Sequence, residues 1–128
     1  DASALFLKPL HKSIYGRLSK TKWLCRGDVN GEKLSRAGFR RSRGGVLVSG
    51  DYKSATDGLS LLAAEVILKT LVDNSSFVPQ AVKTFAMASL RPLMSQRSPN
   101  GEEEVIPGFV PSVGQMMGSY LSFPLLCL

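Results

Sequence analysis

The sequence predicts an α+β fold, mainly helices packed on a small β-sheet. Apolar residues recur at helical spacing in three stretches, within residues 4–18, 58–73 and 79–91. Val46-Leu47-Val48 is a short β-branched run closed by Ser49-Gly50, which reads as a strand. Ser98-Pro99-Asn100-Gly101 is a strong turn signal, suited to joining short strands around Leu93-Met94 and Val105-Ile106.

In the first stretch Leu5, Leu7, Leu10, Ile14 and Leu18 follow a mostly helical spacing, and Pro9 places the helix start near itself. Residues 26–45 are rich in Gly, Arg and Lys without periodicity and read as loop. Asp57 is a suitable N-cap for the next helix, which presents Leu59, Leu62, Ala63, Val66, Ile67, Thr70 and Leu71 on one broad face. Asn74-Ser75-Ser76 ends it. Pro79 opens a third helix carrying Val82, Phe85, Ala86, Ala88, Ser89 and Leu90, and Pro92 helps to close it. A turn from Gly114 to Gly118 then leads into an apolar helix. That final run, Leu121 to Leu128, reads as the interior of an element, so the chain is expected to be a segment of a longer protein.

The length of 128 residues suits one modest core, and no linker divides residues 1–128 into two domains. Sixteen basic against ten acidic residues give a net charge of +6, a balance that favours a polyanionic partner such as nucleic acid. Cys25 and Cys127 lack Cys-x-x-Cys spacing, which fits a thiol-reduced, intracellular setting. With His11 as the single histidine, a zinc site or a histidine-based hydrolytic centre is hard to build. No run has the length of a transmembrane helix, and Asp1-Ala2-Ser3-Ala4 lacks the basic start of a signal peptide.

The chemistry concentrates in Ser49-Gly50-Asp51-Tyr52-Lys53-Ser54-Ala55-Thr56-Asp57. A carboxylate at a strand end is rigidly held, as a metal ligand must be, and magnesium takes one or two carboxylates beside waters and phosphates. Spacing alone favours an ordinary Gly-Asp turn followed by a capping Asp57. Lys53, between the two aspartates, is a candidate partner for a carboxylate or a phosphate.

Gly50 to Asp57 resembles motif A of viral RNA-dependent RNA polymerases, in the form found in ourmia-like viruses (botourmiaviruses) and similar to narnavirus, mitovirus and levivirus enzymes. Gly114-Gln115-Met116-Met117-Gly118-Ser119-Tyr120-Leu121-Ser122-Phe123-Pro124-Leu125-Leu126-Cys127-Leu128 resembles motif B of the same group. Pro9 to Tyr15, Trp23 to Asp28 and Ala88 to Arg91 are similar to stretches flanking or lying between those motifs, so the resemblance spans nearly the whole chain.

The resemblance implies partial palm and fingers of a right-hand polymerase, with an incomplete palm sheet that includes residues 46–51. It implies Asp51 as the catalytic, metal-binding carboxylate and Asp57 as the reader of the ribose 2′-hydroxyl, a group that both donates and accepts hydrogen bonds. Ser112, Gly114, Gln115, Gly118, Ser119 and Ser122 would position template and nucleotide, the glycines by allowing close backbone approach. The cofactor would be Mg2+ or Mn2+, the reaction two-metal nucleotide transfer from nucleoside triphosphates to an RNA 3′ end, and the setting the host-cell cytoplasm. The basic motif F and the Gly-Asp-Asp of motif C are not in this sequence, so the segment alone is expected to be inert. Val113 stands where family members often have Arg.

Arg36, Arg40, Arg41 and Arg43 form a solvated basic loop by composition, and are candidates for RNA phosphate contacts. The alternative function is a non-catalytic basic RNA-binding module. Met116-Met117 read as packing, Glu102-Glu103-Glu104 as a hairpin tip and His11 as structural or surface.

Overall fold

The computed structural model describes residues 2–40, 44–46, 48–105 and 111–128. Among these the fold is mainly helical with one small two-stranded sheet. A 3-10 helix, Ala2–Leu7, runs into α1, Lys8–Leu18, with Pro9 in its first turn where no amide hydrogen is needed. α2, Gly31–Arg36, follows, then α3, Leu61–Asp73, and α4, Gln80–Ala88. Strands β1, Ser95–Arg97, and β2, Glu103–Val105, form an antiparallel hairpin, and α5, Ser122–Leu126, comes last.

Faces of four α-helices and the 3-10 helix make the core. Leu7, Leu10, Leu61, Ala64, Leu68, Val72, Ala86, Leu90, Leu121 and Leu125 are buried in one cluster, with Ile14, Val82, Phe85 and Tyr120 packed on it. In α3 the buried stripe is Leu61, Ala64, Leu68 and Val72, not the broad face expected from Leu62, Val66 and Leu71. Leu62 is 68% exposed and Val66 59%. Apolar residues surround this helix, so periodicity leaves its rotation open and packing against α4 and α5 chooses it.

The helix expected from residue 58 begins at Leu61, and Ser60, not Asp57, caps it by accepting from the Ala63 N–H at 3.3 Å. The reason is competition for carbonyls. Thr56 O accepts from the Gln115 N–H and Leu59 O from the Gly114 N–H, each at 2.9 Å. A helix starting at 58 would need Leu59 O for its own ladder.

Three further expectations are corrected. Val46 and residues 48–51 are not strand, because among the described residues no neighbouring segment pairs with them; Val46 is 85% and Val48 88% exposed, while Leu47 lies outside the described residues. The turn at Ser98 to Gly101 does join two strands, closed by Gly101 N–H to Ser98 O at 2.8 Å, but they start two residues nearer the turn on the β1 side. The paired residues are Ser95 with Val105 and Arg97 with Glu103, and Ile106 lies outside the described residues. The loop expected over 26–45 contains α2, where Asn30 caps the helix through its side chain to the Lys33 N–H at 2.9 Å.

No helix among the described residues is long and apolar enough to cross a membrane. Several large apolar side chains lie at the surface, among them Phe77, Tyr52 and Met117.

Candidate functional site

The two motif-like segments meet through their backbones. Asp57 sits in a turn whose own amide donates to Ser54 O at 3.0 Å, with Ser54 in the left-handed region at φ 55°. On either side of Asp57, the Thr56 and Leu59 carbonyls accept the Gln115 and Gly114 amides. Gly114 has φ 80°, and a Cβ built on it would lie 2.6 Å from Asp57 O and 3.0 Å from Asp57 Cα. Only glycine fits there.

Beside this junction lies a cavity of about 190 Å³ lined by Asp57, Gly114, Gln115, Ser119 and Ser122, together with Ser89, Leu90, Pro92 and Met94. Five of the candidate residues are therefore brought to one place. Asp51, Ser112, Gly118, Arg40 and Lys53 are exposed and do not line it. Arg41 and Arg43 lie outside the described residues. Arg36 pairs with Glu32 at 3.0 Å, one turn away on α2.

Within the cavity wall, the side chains differ in what they have free. The Ser122 hydroxyl donates to Met116 O at 2.9 Å, which closes the turn entering α5 and commits its proton. Gln115 is 8% exposed, and among the described residues neither its Nε2 nor its Oε1 has a hydrogen-bond partner. A buried amide left unpaired opposes folding by about 1–3 kcal/mol.

Sequence reasoning gave no role to a second support. Arg91 grips Glu65 of α3 and reaches Pro111 O with its third nitrogen, at 3.2 Å. That arrangement ties the segment leading into Gly114 to the helix behind it. Its hydrogen bonds, with the Arg91 charge, hold the Glu65 carboxyl below its ordinary value, against an opposing effect of burial. The resemblance of Ala88 to Arg91 was the signal available, and it named the stretch without the contact.

The segment around α1 packs on the same region. His11 Nδ1 bonds Tyr120 O at 2.5 Å, and the His11 ring lies edge-on to Tyr120 at 5.8 Å. Tyr15 meets Phe123 edge-on at 5.6 Å, with Arg26 over its ring at 5.1 Å. Of the two places open to it, structural or surface, His11 takes a half-buried structural one. Cys25 and Cys127 are free thiols.

For a divalent cation the fit is incomplete. No three His, Cys, Asp or Glu side chains gather into a metal-binding group among the described residues. Asp51 is a single exposed carboxylate on a stretch that no strand stiffens. It does not make a cation site by itself.

Comparison with models of protein families, with curated proteins and with solved structures gives no match.

Proposed function

We propose that this chain is a palm-and-fingers segment of a viral RNA-dependent RNA polymerase related to those of ourmia-like viruses. It would work on an RNA template, a nascent RNA and nucleoside triphosphates in the host cytoplasm. One observation carries the reading. Thr56 and Leu59 pair with Gln115 and Gly114, so the segments resembling motifs A and B build one site although they are far apart in sequence. Asp57 and Gln115 share its cavity, as a ribose reader and a nucleotide-positioning residue should. The magnesium that the resemblance implies needs carboxylates additional to Asp51, because the described residues offer no complete ligand set.

The test is extension of a primed RNA template by the polymerase that contains this segment. Asp51→Asn should lower extension by about a thousandfold or more while the melting temperature holds, since a carboxylate on a catalytic metal is worth several kcal/mol. Extension at the unmutated rate would overturn the proposal. The alternative, a non-catalytic basic RNA-binding module, rests on the +6 charge. It requires RNA binding that weakens steeply with salt, falls on replacing Arg40 and Arg41, and ignores Asp51.

A further inference from the structure

We infer that Gly114 is a positioning residue that sets where the Asp57 carboxylate stands and, through it, the choice between ribose and deoxyribose. The inference rests on the polymerase reading and deepens it. The expected reason for glycine at 114 is close approach to RNA, but the close approach in this structure is to Asp57 itself. A Cβ at 114 would stand 2.6 Å from Asp57 O, 3.0 Å from its Cα and 3.1 Å from its carbonyl carbon. All three are backbone atoms, which cannot swing aside as the end of a long side chain can.

The Asp57 peptide has little freedom to yield. Its N–H is bonded to Ser54 O at 3.0 Å, and the flanking Thr56 and Leu59 carbonyls are bonded to residues 115 and 114 at 2.9 Å. The Asp57 side chain is exposed, and no hydrogen bond or ion pair to it occurs among the described residues. Its carboxylate therefore inherits its place from the backbone. Any side chain at 114 must push that backbone by several tenths of an ångström or break the Gly114–Leu59 bond. A hydroxyl contact is sensitive to such shifts, because hydrogen bonds weaken steeply with length and angle.

The experiment measures kcat/KM for ATP and for dATP on a primed RNA template, with the polymerase containing this segment. Gly114→Ala should lower the ATP-to-dATP ratio about tenfold, the value of one hydrogen bond to a charged group, and chiefly by weakening ATP use. Asp57→Asn should lower it similarly, and the double variant should fall no further than either single one. Gly101→Ala supplies the control for backbone strain, since Gly101 has φ 84° with nothing within 4 Å of its Cβ position. It should leave the ratio unchanged. If Gly114→Ala does not fold, Gly114→Asn keeps the collision with less strain, because Asn tolerates the left-handed region.

A ratio unchanged in Gly114→Ala but lowered in Asp57→Asn overturns the positioning role and leaves the polymerase reading standing. Failure of both residue-114 variants to fold, with Gly101→Ala folded, makes this glycine a residue of stability alone and also overturns it. Full extension by Asp51→Asn removes the polymerase reading, and the inference with it.

Discussion

Arg91 holds Glu65 through two parallel hydrogen bonds, Nε to Oε1 at 2.5 Å and Nη2 to Oε2 at 3.0 Å. The same guanidinium donates to Pro111 O, so a pair between two helical regions also fixes the strand of chain that enters Gly114. The forked geometry is particular to arginine.

Acid should loosen this support. The Glu65 carboxyl titrates below its ordinary value in the folded chain, first because of the Arg91 hydrogen bonds. A lowered folded value means the stabilisation is whole above the unfolded value, near 4.3 for Glu, and is lost as pH falls through the folded one. Thermal melts at a series of pH values should therefore converge for wild type and Glu65→Gln towards the acid end and diverge near neutrality. Arg91→Lys should recover only part of the neutral-pH difference between Arg91→Ala and wild type. A difference from Glu65→Gln that stays constant across the whole pH range would contradict the first expectation, and full recovery by Arg91→Lys the second.

Core and surface positions of α3 should separate sharply in urea. Leu68 is fully buried, and Leu68→Ala should cost about 2–5 kcal/mol of stability. Leu62 is 68% exposed, so Leu62→Ala should stay within about 0.5 kcal/mol. Equal costs would mean that α3 presents the other face.

Capping gives a local check on where α3 begins. Ser60→Ala removes the acceptor for the Ala63 N–H and should cost about 1 kcal/mol. Asp57→Ala should leave stability within about 0.5 kcal/mol, because its side chain caps nothing here. Amide exchange at Ala63 should speed up in the first variant and not in the second.

Gln115 offers a gain of stability. Replacing its unpaired buried amide with the similarly sized thioether of Gln115→Met should stabilise the chain by about 1–2 kcal/mol. If the amide serves nucleotide positioning, the same change should lower RNA extension, so stability and activity should move in opposite directions. A less stable Gln115→Met chain would show that the amide has a partner after all.

Several features of this protein follow from the sequence alone. Helices around Pro9 to Leu18, over most of 58–73 and from Pro79 onward are local matters, set by apolar period and by proline at a first turn. The hairpin turn at Ser98 to Gly101 is equally local, because Asn and Gly suit the backbone it needs. The two segments resembling polymerase motifs were also visible there, as were Asp57, Gly114 and Gln115 within them.

What the tertiary structure decided is how those pieces answer one another. Asp57 looks like a cap in one dimension, yet the carbonyls around it are taken by Gly114 and Gln115, so α3 starts later and Ser60 caps it. The rotation of α3 could not be read from a helix apolar on nearly every side; Ala86, Leu121 and their neighbours select the buried stripe. Val46 and Val48 have strand composition, but a strand exists only when another pairs with it, and none does among the described residues. Gly114 belongs to both accounts. Its type was legible as a demand for close approach, and only the fold reveals that the backbone approached is that of Asp57.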